Sequence, residues 1–348
     1  MSKPLVLATD ETVLDTLFQL AAAADCTLER VPDVTAARPL WRTAPFVFVD
    51  AHAVRDCAEA GLPSRPNIVV LSSHTTDVDA FQAALSLRAE KVVQLPEASA
   101  WLSDLLADAA EGRAGPPGLV LAVLGGRGGA GASVFAAAVA VNAAHVGHSA
   151  MLVDCDPLAG GLDLVLGVEN EKGLRWPDIA VRSGRVAVSS LRSALPSCSG
   201  VKLLSGARKG FAPEPEAVSA VVSASRRGGD LVVCDLPRDV PPPARAALEL
   251  ADLTVIVVPA EVRACAAAAR VAERLHTFGA TAQVVVRGPA PGGLRPEEVA
   301  AAVELPLLTS MPYQRGLAAA MEKGRFAVSR GPLATAAHKV LASMGVAA

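Results

Sequence analysis

Along the first 110 residues, short apolar runs alternate with Ala- and Leu-rich stretches whose apolar side chains recur every three or four positions. The runs at 5–8, 46–50, 68–72 and 92–95 predict strands. Residues 13–24, 77–87 and 98–110 predict helices, the first carrying Leu14, Leu17, Phe18 and Ala21. This alternation predicts a small parallel sheet with helices on both faces. Residues 111–118 then lose periodicity and become dense in Gly and Pro, the pattern of a linker. A second alternation starts at Leu119, with strands expected at 119–124, 150–153, 201–204, 231–234, 254–258, 283–286 and 307–311. Helices are expected at 134–144, 214–225, 264–278 and 296–303. Runs such as LVLAVL and TVIVVP are apolar without interruption, as in strands covered on both faces of a parallel sheet. The expected fold class is α/β in two domains, 1–110 and 119–348, joined by 111–118.

Composition narrows the function classes. The 348 residues are 51% apolar and 19% charged, which excludes a disordered or fibrous chain. A net charge of −3 provides no long-range attraction for nucleic acid or anionic lipid. With aromatics at 3%, the core must be built from Ala, Val and Leu. No apolar run approaches the ~20 residues that cross a bilayer. The opening MSKPLVLATDE brings acids where a signal peptide continues its apolar stretch, so a soluble cytoplasmic protein is expected. The six cysteines are scattered without a C-x-x-C pair, consistent with reduced, structural thiols.

The candidate chemistry begins directly after LVLAVL, where Gly125-Gly-Arg-Gly-Gly-Ala-Gly-Ala-Ser133 leads into the helical VFAAAVAVNAA. A Gly-rich turn between a buried strand and a helix start can wrap a phosphate with backbone N–H groups, and the helix terminus adds partial positive charge. Gly128, Gly129 and Gly131 permit positive φ and close backbone approach. The Ser133 hydroxyl stands where it can reach a Mg²⁺ ion. Two acids, Asp154 and Asp156, end the next strand, and Asp235 ends a later one in CDLP. Ligands of open α/β sheets bind at these carboxyl ends, where acids hold Mg²⁺ or orient water.

The stretch from about 119 to 345 resembles the MinD/ParA family of deviant Walker-A ATPases, and within it the CpaE/TadZ-like and septum site-determining proteins of actinobacteria. The family loop K-G-G-x-G-K-[ST] aligns with Arg127, Gly128, Gly129, Ala130, Gly131, Ala132 and Ser133. The Asp154/Asp156 segment resembles switch I, and CDLP resembles the Walker B strand. Gly173-Leu-Arg-Trp-Pro-Asp178, Met311-Pro-Tyr-Gln-Arg-Gly316 and Glu322-Lys-Gly324 also look like family segments. The resemblance implies ATP or ADP held by Arg127 through Val134 and by Asp154. It implies Mg²⁺ at Ser133, Asp156 and Asp235, with Asp156 and Asp235 as the catalytic acids. It further implies a homodimer recruited to the septum or a cell pole by a protein partner of the division or Tad secretion machinery. The CpaE-like branch carries a receiver-like, flavodoxin-like first domain, and Asp10-Glu11, Asp50, Ser72 and Leu95-Pro96 fall at its motif positions.

The departures from the pattern carry as much chemistry as the matches. The signature lysine is Arg127, a wider planar fork, and the loop lysine is Ala132, which has no charge. Losing one partner of a buried charge pair costs about 2–5 kcal/mol, so weak nucleotide binding and weak or absent hydrolysis are expected. Arg287 stands where the family places an Asn near the adenine, and it cannot copy an amide's donor–acceptor pairing. In the first domain Leu95 replaces the receiver lysine, and 50–72 is short for an α/β crossover, so a pseudo-receiver is expected. The stretch 333–348 has one lysine and a small apolar face, so no autonomous membrane anchor is expected. The rival readings are a working Mg²⁺-dependent ATPase, a ParA-like DNA partition protein, and a phosphorelay receiver with an output domain.

Overall fold

The structure, a computed structural model, describes residues 3–74, 78–110, 117–179, 186, 188–208, 212–326 and 328–346. The chain forms two compact units, Met1–Gly115 and Pro116–Ala348. Most of the expected linker, 111–116, lies outside the described residues. Gly118, its last residue, belongs to the second unit, where its N–H donates to the Arg226 carbonyl.

The first unit runs β1 (Leu5–Leu7), α1 (Glu11–Ala23), β2 (Glu29–Arg30), α2 (Val34–Ala37), β3 (Val47–Asp50), α3 (Ala53–Glu59), β4 (Ile68–Ser72), α4 (Val78–Ser86), β5 (Lys91–Gln94) and α5 (Ser99–Ala110). Its parallel sheet has the order β2-β1-β3-β4-β5. Successive strand residues alternate between the two faces: Leu5 and Leu7 join one buried cluster and Val6 the other. The crossover judged too short in sequence is complete, because the seven residues of α3 suffice to carry β3 over to its parallel neighbour β4.

The second unit begins with β6 (Val120–Gly125), α6 (Ala132–His145), β7 (Ala150–Asp154), α7 (Leu162–Leu166), α8 (Val188–Ala194), β8 (Ser197–Cys198), β9 (Val201–Leu204) and α9 (Pro215–Arg227). It continues with β10 (Leu231–Leu236), α10 (Pro242–Leu248), β11 (Leu253–Pro259), α11 (Val262–Thr277), β12 (Ala282–Arg287), α12 (Pro296–Val303), β13 (Leu307–Met311), α13 (Leu317–Met321) and α14 (Pro332–Ser343). The sheet order is β13-β12-β11-β6-β10-β7-β9-β8, parallel except for the β8–β9 pair. Residues 135–143 of α6 are all buried, which is why this helix shows no amphipathic period. Leu333, Ala336, Ala337, Val340 and Leu341 of α14 share that buried cluster. The apolar face of α14 is therefore spent inside the core. Among the described residues, no helix is long and apolar enough to cross a membrane.

Candidate functional site

The strand order places β6 and β10 side by side with β7 next to β10, so the loop after β6 and the acids ending β7 and β10 lie together at the carboxyl end of the sheet. Gly129 (φ +72°) and Gly131 (φ +91°) take the left-handed conformation that lets successive N–H groups converge before α6. Gly128, expected to do the same, does not. A Cβ at Gly128 or Gly129 would meet nothing within 4 Å, so the loop faces open space. Gly131 is the N-cap of α6, Ala132 its first residue and Ser133 its second; Ala130 is buried beneath the loop. This backbone fits an anion.

The charges around it are distributed unusually. Asp154 and Asp235 are both buried and are register partners on β7 and β10. Burial pushes the Asp235 carboxyl up to about 8, reinforced by the charges of Asp154 and Asp156 and opposed by a hydrogen bond from the Ser133 hydroxyl. Burial likewise raises Asp154 to about 6, against the N–H groups of Leu162 (3.1 Å) and Asp156 (3.2 Å) and the Ser205 hydroxyl. Among the described residues no cation pairs with either acid; the nearby guanidinium groups are engaged elsewhere. Arg208 donates to buried Asp163 at 2.9 Å and to the Gly160 carbonyl at 2.8 Å, and Arg175 lies 3.6 Å from Asp163. The Nη2 of Arg127 donates to both carboxylate oxygens of Glu261, the N-cap of α11, at 2.9 and 3.0 Å.

Asp156 is partly exposed and caps its own turn by accepting the Leu158 N–H at 3.0 Å. Among the described residues, no three His, Cys, Asp or Glu side chains gather as a metal cluster. Ser133, Asp156 and Asp235 would hold Mg²⁺ here only together with a bound phosphate. The site residues missed in sequence are Glu261, Asp163, Arg175 and Arg208. Arg208 and Arg127 find their partners 45 and 134 residues away, and no local spacing signals them.

Two cavities flank the loop. One, of about 360 Å³, contains Ser133, Asp235 and Gly161; the other, of about 210 Å³, contains Gly131, Val134, Arg287 and Tyr313. Met321 and Glu322 line both, so the two form neighbouring halves of a trough. Arg287 projects from the end of β12, and its Nη1 donates to the carbonyls of Ala130 (2.9 Å) and Gly129 (3.2 Å). Trp176 is buried and its indole N–H donates to the Asp154 carbonyl, tying the 173–178 segment to the site.

In the first unit the expected acid pocket forms with a different membership. The Asp50 carboxylate accepts from the Thr9 N–H and hydroxyl and from the N–H groups of Asp10, His52 and Ala53. Burial opposes its ionisation, but the Ala53, Asp10 and Thr9 N–H groups outweigh that and hold it below the usual carboxylate range. Asp10 receives the hydroxyl of Ser73, not Ser72; Ser72 turns to the His74 carbonyl. Glu11 is exposed at the start of α1.

These features define an α/β protein pairing a CheY-like unit with a unit of the MinD/ParA fold. A ParA family ATPase from Chlorobium tepidum TLS superposes with a TM-score of 0.58 at 19% identity, covering 65% of this chain and 98% of that one. MinD of the MinC:MinD cell division complex from Aquifex aeolicus gives 0.53 at 22% identity, covering 64% and 96%. The septum site-determining protein MinD with Mg-ADP from Pyrococcus horikoshii OT3 gives 0.54 at 19%, covering 65% and 95%. At these identities the likeness concerns the fold alone. The family model "Rv3660c-like, CheY-like N-terminal domain" matches residues 7–117. The uncharacterized proteins Rv3660c of Mycobacterium tuberculosis H37Rv and MT3760 of strain CDC 1551 are each 44% identical over 342 residues, covering 96% of this chain and 96% of each relative. The chain belongs to the Rv3660c-like family.

Proposed function

We propose that this protein is a spatial regulator of the septum site-determining or CpaE/TadZ kind, in which a MinD-like unit uses nucleotide as a ligand or switch and hydrolyses it weakly or not at all. The observation that carries the reading is the acid pair: Ala132 stands at the start of α6 while Asp154 and Asp235 lie buried with no positive partner among the described residues. Transferring a γ-phosphoryl group concentrates negative charge, and catalysis of that step depends on fixed positive charge. Here the loop offers N–H groups and a helix terminus, Ser133 with Asp156 and Asp235 would hold Mg²⁺ against the phosphates, and Arg127 is tied to Glu261. This favours retention over turnover.

The unit would act as a homodimer through the face bearing the loop. Leu158 and Val262, 94% and 73% exposed beside Asp156 and Glu261, supply apolar contact there. The first unit, with its Asp50 carboxylate fully engaged, serves as a pseudo-receiver for docking or dimerisation. A protein partner of the division or Tad secretion machinery recruits the chain to a septum or pole, since α14 keeps its apolar face in the core. In the Aquifex aeolicus structure, MinD is in complex with MinC. The test is equilibrium binding of nucleoside di- and triphosphates with and without Mg²⁺, with sedimentation of each state. Micromolar, Mg²⁺-dependent binding with a monomer–dimer shift supports the switch. Absence of any binding contradicts it.

A further inference from the structure

We propose that the cavity containing Arg287 selects guanine over adenine, making GTP or GDP the nucleotide this protein holds. The inference rests on the nucleotide reading above and adds to it the identity of the base.

Gly131 and Val134, at the N-terminus of α6, form one wall of the 210 Å³ cavity. Phosphates seated on that helix terminus place the remainder of a nucleotide within reach of this cavity. Beside that wall stands Arg287, fixed because Nη1 is anchored on the Ala130 and Gly129 carbonyls. The anchor depends on glycine: a Cβ at Gly131 would lie 2.8 Å from that Nη1. A guanidinium carries five N–H donors and no acceptor, and among the described residues only Nη1 is used. The Nη2 and Nε donors are left for a ligand.

The other polar groups of the cavity complete the pattern. Gln314 has its Oε1 turned to the Leu333 N–H at 3.2 Å, which leaves its amide N–H groups as donors. Glu322 contributes a carboxylate, an acceptor. Guanine presents two acceptors, O6 and N7, which a guanidinium meets in a two-pronged contact. It also presents two donors, N1–H and the N2 amine, which match a carboxylate. Adenine places its N6 amine where guanine has O6, so donor faces donor at Arg287, and it has no N1–H or N2 amine for Glu322.

The test is equilibrium dialysis of the full chain with Mg²⁺ and radiolabelled GTP, ATP or ITP. Binding of GTP should be about tenfold or more tighter than ATP, with ITP, which lacks the N2 amine, in between. Because Arg287 also braces the loop, two variants are measured: Arg287→Asn and Glu322→Ala should each narrow the GTP preference. Equal or tighter binding of ATP by the unmodified chain, or a preference untouched in both variants, overturns the base assignment and leaves the nucleotide reading standing. Binding of none of the three overturns both.

Discussion

Asp154 and Asp235 sit side by side as register partners on adjacent parallel strands, both buried and neither facing a cation among the described residues. Burial is the main reason both carboxyls are raised, Asp154 to about 6 and Asp235 to about 8, with neighbouring carboxylates adding to it. A folded value above the unfolded one means the native state holds the extra proton. The resulting stability is complete below about pH 4 and is lost as pH rises through 6 and then 8. The second unit should therefore weaken in chemical denaturation from about pH 4 to 8, by up to ~1.4 kcal/mol per pH unit from Asp235 across that range and from Asp154 up to about pH 6. Asp235→Asn, which keeps the shape without the charge, should flatten that slope and raise the midpoint at pH 8. An unchanged slope in the variant contradicts the assignment.

Restoring the missing charge should reverse the chemistry. Ala132→Lys places an ammonium at the head of α6, beside Ser133 and within the field of Asp235. Nucleoside triphosphate affinity should rise by about tenfold or more, in line with the ~2–5 kcal/mol of a buried charged contact. Equilibrium dialysis checks this. An affinity that stays level or falls shows that another group already supplies the charge.

The Arg127–Glu261 pair is half-exposed, with side chains 38% and 40% accessible. Solvent screening keeps such pairs within ~1 kcal/mol. A double-mutant cycle of Arg127→Ala and Glu261→Ala in denaturant unfolding should give a coupling below that figure. A coupling of several kcal/mol would mark the pair as a structural clasp instead.

Asp50 is an architectural carboxylate. Replacing it with Ala strands N–H groups of Thr9, Asp10, His52 and Ala53 and should cost the first unit about 2–4 kcal/mol. Its contribution, with a folded value below the usual range, is present above about pH 4 and disappears as pH falls below it. Acetyl phosphate should leave the protein unlabelled, because no lysine supports the pocket at Leu95. Labelling that vanishes in Asp50→Asn would restore a phosphorelay role.

Much of the fold was legible because parallel strands buried on both faces leave uninterrupted apolar runs; the expected boundaries at 68–72, 201–204 and 307–311 coincide with β4, β9 and β13. The elements that escaped are those with a weak signal. The two residues of β2, Glu29 and Arg30, are exposed and polar on a sheet edge, and α3 is only seven residues long. At the site, the glycines and strand-end acids announce themselves because turn geometry and strand termini are local properties. The cations that serve Asp163 and Glu261 do not, since Arg208 and Arg127 find those partners 45 and 134 residues away. Arg287 stood out in sequence only as a departure; its seat on the loop carbonyls came from the sheet order that brings β12 near β6.

The central claim is that a phosphate cradle without its ammonium group holds nucleotide without consuming it. The most direct measurement is γ-phosphate release by the purified full chain with Mg²⁺ and either ATP or GTP. The account predicts release at the background rate with both, unchanged in Asp235→Ala. Mg²⁺-dependent release well above background that Asp235→Ala abolishes would contradict it.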